Sequence, residues 1–184
     1  MDKNSIIYET YVEILKRELV CAMGCTEPIA IAFASSKARS VLGCIPEKVV
    51  VEVSGNIVKN VKCVIVPNTG GKCGIEAATA IGIVAGNHEA GLQVVSEVTP
   101  QDIEKLDVFM AEVPISVKAI ETPYLLDVSV KVIKGSSSAR VRIINEHTNV
   151  VLVEKDEKII EGAEPSIEIE EEEQHLDYTL LSIN

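Results

Sequence analysis

"LLDVSVKVIKGSSSARVRII", residues 125–144, decides the fold. Val128, Val130 and Val132 alternate with Ser129 and Lys131, and Ala139, Val141 and Ile143 alternate with Arg140 and Arg142. Between the two runs, "KGSSS" breaks any regular element. A period of two in β-branched residues around such a break reads as two antiparallel strands. The pattern extends outward on both sides. "ISVKAI" (115–120) and "VVLVEK" (150–155) have the same character, set off by "ETP" and "NEHTN", and "EKDEKII" adds a turn and a short strand. The second half of the chain is therefore expected to be sequential antiparallel strands.

The first half reads as helical. Residues 4–23 repeat apolar side chains at three and four (Ile7, Tyr8, Tyr11, Val12, Ile14, Leu15, Leu19, Val20), the signature of one buried helix face. Gly24 is placed to stop that helix. Thr26 can cap a second one, with Glu27 and Pro28 in its first turn, and Ala-rich sequence carries it to Gly43. "KVVVEVSG" reads as a strand ending at Gly55, "NIVKNVKCVIV" fits strand or helix, and "PNTGGKCG" is a loop. "IEAATAIGIVAG" is a small-residue helix, closely packed where Gly82 meets a neighbour. "TPQDIEKLDVFMAE" opens on a Thr cap and a Pro at the first helical position. The fold class that follows is α+β, with N-terminal helices packed on a mainly antiparallel sheet formed by the second half. Residues 1–161 form a single domain. Residues 162–184 read as an acidic linker followed by the start of an element, "HLDYTLLSIN", that the chain does not complete.

Charge and composition narrow the function classes. Of the net charge of −11, residues 154–184 hold 2 basic and 11 acidic side chains, so the acidity is concentrated in "EPSIEIEEEEQ". An acidic chain with no Trp, 2 Phe and 4 Tyr repels polyanions and offers few stacking platforms, which disfavours nucleic acid as a partner. No apolar run reaches the roughly 18–20 residues of a membrane span, and the N-terminus lacks an apolar signal region. A cytoplasmic protein is expected. The 5 cysteines, odd in number and irregularly spaced, do not suggest a disulfide framework there.

The chemistry centres on "GCTEP", residues 24–28. Cys25 falls between a helix-stopping Gly and a helix start, where amide N–H groups and the positive end of the helix dipole favour negative charge. Such surroundings suit a sulfur that attacks an electrophile or holds iron, although a small buried hydrophobe explains a free Cys equally well. Cys21, one turn earlier, reads as part of the packed helix face. Cys44, Cys63 and Cys73 have no CxxC spacing and no nearby His, so the chain does not supply a self-contained zinc or iron–sulfur site. "SGNIVKN" (Ser54, Asn56, Lys59, Asn60) and "PNTGGKCG" (Asn68, Thr69, Gly70) add unpaired polarity, and Gly-rich turns at helix starts present N–H groups to anions. His147 in "NEHT" is either a base or a hairpin-loop residue.

Taken in order, "GCTEP", "SGNI-x-KN" and "PNTGG" resemble the L-cysteine desulfidase family, a group also described as serine dehydratase-like and as an uncharacterised family of the same type. The resemblance covers essentially the whole chain, and members are about twice as long or more. It implies the N-terminal portion of a [4Fe–4S] amino-acid lyase that takes L-cysteine to pyruvate, ammonia and sulfide, or L-serine with loss of water. Cys25 would be one metal ligand, and the other ligands would lie in a missing C-terminal half, the cluster being absent from this portion alone. The open iron would act as a Lewis acid. Ser54, Asn56, Lys59, Asn68, Thr69 and Gly70 would hold the amino-acid substrate. The catalytic base and oligomeric state are left open, a homo-oligomer included. Two other readings stand beside it. One is a non-catalytic small-molecule binding or regulatory module. The other is a cysteine-nucleophile enzyme working through Cys25, for which distant His147 is the best base in the sequence.

Overall fold

The computed structural model describes residues 6–19 and 21–165. The chain divides into two compact units, residues 22–165 and residues 1–21 with 166–184. The expected acidic linker therefore lies, from residue 166 onward, outside the described residues. In the smaller unit, helix α1 spans Ile6–Glu18. The sequence predicts a longer helix with a continuous buried face. Instead Ile14 alone of the face's described residues is buried, while Ile7, Leu15 and Leu19 are exposed. Cys21, read as packing on that face, lies beyond the helix end and is exposed. Val20 falls outside the described residues.

In the larger unit, six strands form one sheet in the order β2-β1-β3-β4-β5-β6. They are β1 (Lys48–Ser54), β2 (Ile115–Ile120), β3 (Asp127–Lys134), β4 (Ser137–Ile144), β5 (Val150–Lys155) and β6 (Lys158–Gly162). From β3 onward each strand pairs antiparallel with the next, as the period-two pattern predicts. The α+β class holds, with two refinements. Strand β1, from the first half, lies inside the sheet between β2 and β3, and β2 pairs parallel with β1 rather than antiparallel with β3. Parallel pairing requires a long crossover, and residues 55–114 supply it with helices α3 (Gly55–Val61), α4 (Gly74–Ala85) and α5 (Pro100–Glu112). The two sheet faces differ in chemistry. Val49, Val51, Val53, Val128, Val130, Val132, Val141 and Ile143 are fully buried on one. The register sets Glu52, Ser129 and Arg142 in one row of the other face, and Val50, Lys131, Arg140 and Glu154 in the next.

Helix α2 (Thr26–Leu42) packs against β3 and β4 on the apolar face and against α4. Every residue from Pro28 to Ser36 is buried, so the helix is apolar nearly all round, as a helix enclosed on several sides must be. Its two buried hydroxyls are satisfied: Ser35 donates to Ile31 O and Ser36 to Gly86 O, each at 2.7 Å. Small residues let α2 and α4 approach closely. A Cβ on Gly82 would sit 2.2 Å from the Ala32 carbonyl oxygen, a distance no side chain tolerates. Gly82 therefore fixes the spacing of the two helices, and with it the position of the α2 N-terminus.

Candidate functional site

Cys25 is the N-cap residue of α2, with φ −69° and ψ 126°, and its side chain makes no capping hydrogen bond. Thr26, expected as the cap, is the first helical residue. The Cys25 sulfur is exposed, and its Sγ lies 4.0 Å from Oε2 of the Glu27 carboxylate, a long contact. The other oxygen of that carboxylate, Oε1, accepts from Asn60 Nδ2 at 2.8 Å. Asn60 comes from α3, 33 residues away, so the fold delivers the group that orients Glu27. A thiol, a neighbouring carboxylate and a third group holding that carboxylate thus lie together at the start of α2.

The other motifs converge on this helix end unevenly. Pro67 of "PNTGG" packs against Gly24, where an added Cβ would lie 3.2 Å from the proline ring. That loop is a tight hairpin joined by the Ile65–Cys73 bridge, and Asn68, Gly70 and Gly71 adopt φ of 57°, 70° and 91°. Gly is placed there because L side chains avoid this region. Thr69 is buried and its hydroxyl bonds the Val66 and Lys72 carbonyls, while Asn68 Nδ2 donates to Val95 O. Ser54 is buried and donates to Leu125 O at 2.7 Å. These three side chains spend their donors on backbone carbonyls. Asn56, Lys59 and Gly70 are exposed, with Asn56 and Lys59 on α3 beside Asn60.

His147 lies in the β4–β5 loop, half-buried, in a turn entered through Asn145, whose N–H reaches Leu126 O. Burial lowers its pKa from 6.5, and the charges of Glu27 and Glu146 work against that shift. His147 is thus in electrostatic reach of Glu27, although 120 residues separate it from the "GCTEP" stretch in the chain. The sequence reading missed Glu27 as a proton acceptor, because a carboxylate in a first helical turn is explained by the dipole alone. It had no signal for the Glu27–Asn60 bond.

The resemblance implied Cys25 as one of several ligands to a four-iron cluster; among the described residues, no group of three or more His, Cys, Asp or Glu is arranged to hold a metal ion. No helix among them is long and apolar enough to cross a membrane.

Comparison with known proteins corrects the family assignment. No family model and no solved structure matches the chain. It is 48% identical over 162 residues to a UPF0597 protein of Desulfitobacterium hafniense, covering 88% of this chain and 38% of that protein. It is 41% identical over 160 residues to a UPF0597 protein of Treponema denticola, covering 87% and 37%. It is 49% identical over 153 residues to a UPF0597 protein of Finegoldia magna, covering 83% and 37%. These names state no reaction, cofactor or substrate. The assignment to the L-cysteine desulfidase or serine dehydratase-like lyases is therefore withdrawn. With it go the carbon–sulfur or carbon–oxygen lyase activity, the iron–sulfur and metal-binding character, the L-cysteine or L-serine substrate, and the missing lyase half as a partner. The three motifs are real features of the fold, but turn geometry and helix packing account for much of them without that chemistry. What the comparisons support is similarity to UPF0597 proteins, of whose length this chain spans 37–38% in these three cases.

Proposed function

We propose that the chain carries a nucleophilic thiol site, in which Cys25 forms a covalent bond to an electrophilic small molecule. The observation that carries this reading is the placement of Cys25 Sγ 4.0 Å from Glu27 Oε2, with Asn60 bonded to the other oxygen of that carboxylate. In this reading the thiol hands its proton to Glu27 Oε2 as it attacks. The sulfur electron pair forms the S–C bond, and the displaced group leaves with the electrons of the bond it gives up. Asn60 holds Oε1 and so keeps Oε2 turned toward the sulfur. Asn56 and Lys59 on the exposed side of α3, with Gly70, are the candidates to contact the rest of the bound molecule. Alkylation of Cys25 by iodoacetamide, resolved by peptide mass spectrometry, tests the reading. Glu27→Gln removes the proton acceptor and keeps the size, so the Cys25 rate should fall about tenfold or more. An unchanged or faster rate would refute it.

A further inference from the structure

We propose that Arg140 and Arg142 form an oxyanion-binding site on the polar face of the sheet, with Glu164 as its resident and exchangeable occupant. The two arginines lie two residues apart on β4 and so share that face. Each is anchored from the side. Arg142 makes a fork with Asp127, Nε to Oδ1 at 2.9 Å and Nη2 to Oδ2 at 2.7 Å. Asp127 is fully buried and also accepts from Thr122 Oγ1 at 2.8 Å. This bonding raises the Arg142 pKa, so the guanidinium stays charged. Arg140 directs its Nε to Glu154.

Those anchors leave outward N–H groups on both arginines, and they converge on a single carboxylate. Arg142 Nη1 reaches Glu164 Oε2 at 2.9 Å, and Arg140 Nη2 takes Oε1. One guanidinium per oxygen is how a Y-shaped oxyanion is recognised. Charge singles out the exchangeable member. Asp127 and Glu154 neutralise the two arginines, and Glu52 and Lys131 in the same rows offset each other, so Glu164 brings one extra negative charge. Its side chain is 47% exposed, against 0% for Asp127 and 18% for Glu154. It also lies beyond β6, outside the strands that fix the other four groups. A small carboxylate or phosphate presents the same oxygens and needs only the Glu164 side chain to turn away.

The test titrates the 184-residue chain with acetate and, separately, with inorganic phosphate, by calorimetry and by the arginine Nε–H signals in NMR. An internal competitor weakens the apparent affinity by the fraction of time the site is vacant. Glu164→Gln should therefore bind one of the two anions about tenfold more tightly than the parent chain, and the anion that gains identifies the chemistry. Adding Arg140→Gln should abolish the gain. Arg140→Lys, which keeps the charge beside Glu154 but loses the fork, should reduce it. The proposal is overturned if Glu164→Gln gains for neither anion, or if the gain survives Arg140→Gln in a chain whose circular dichroism is unchanged.

Discussion

The N-termini of α2 and α5 are finished in opposite ways. At α5, Thr99 accepts from the Asp102 N–H while the Asp102 carboxylate accepts from the Thr99 N–H and hydroxyl, a complete capping box preceding a buried pair, Leu106 and Phe109. At α2, Cys25 stands in the capping position and caps nothing. Burial explains why both helices persist. Helix α2 buries a continuous stretch from Pro28 to Ser36, each large apolar side chain worth about 1.5–3 kcal/mol, and needs no cap to hold it. Helix α5 has far less buried surface and depends on its ends. The difference separates a helix start closed by its own cap from one whose capping residue makes no side-chain cap bond.

The largest expected effect comes from breaking the packing that holds α2. Gly82→Ala drives a methyl group into the Ala32 backbone and should destabilise the larger unit by about 3 kcal/mol, read from urea unfolding. A loss under about 1 kcal/mol would show that the α2–α4 spacing is not rigid. Next come the two caps themselves. Thr99→Ala should cost about 1 kcal/mol, because it removes a cap that α5 uses. Cys25→Ala should stay within about 0.5 kcal/mol of the parent, because no capping bond is lost. Equal losses at both positions would erase the contrast between the helix ends.

Acid gives the smallest effect and sharpens the comparison by pH. Hydrogen bonding from Thr99 and Lys105 lowers the Asp102 pKa from 3.8 to about 2. The folded state thus favours the ionised cap, whose contribution is complete above 3.8 and is lost as pH falls toward about 2. His147 acts in a higher window. Its pKa is lowered by burial, so the folded state favours the neutral ring, and stability declines as pH drops below 6.5 through the folded value. His147→Asn should flatten the higher slope alone, and Asp102→Asn the lower one alone, in thermal melts taken across pH. A melt series in which neither variant changes its slope would remove both assignments.

Much of the fold was legible because its signals are local. The alternation in 125–144 gave the β3–β4 hairpin, "TPQD" gave the α5 start, and Gly82 marked the close helix contact. The placement of β2 was not legible. "ISVKAI" has the same pattern whether it neighbours β3 or crosses to β1, and only the length of the intervening helical segment favours the parallel pairing. The α1 face failed for a related reason: periodicity shows which residues could share a face, not whether anything covers it. At the candidate site, Cys25 was singled out by its place between a helix stop and a helix start. Glu27 was seen but assigned to the dipole, and its partner Asn60 is a product of tertiary contact. The hydroxyl bonds of Ser54 to Leu125 O and of Thr69 to Val66 and Lys72 O could not be read either, because a bonded and an unbonded hydroxyl are identical in sequence.

Cys25 and Cys73 provide the most direct measurement. Both are exposed, both stand at the N-cap of a helix, and neither makes a side-chain cap, but Cys25 lies 4.0 Å from a carboxylate that a third residue holds in place. Site-resolved iodoacetamide labelling of the parent chain compares the two thiols in one reaction. The account predicts that Cys25 is alkylated about tenfold faster than Cys73, and that Asn60→Ala narrows the gap. Equal rates, or a faster Cys73, would show that a helix end alone sets the reactivity and that the Cys25–Glu27–Asn60 series does not activate the thiol.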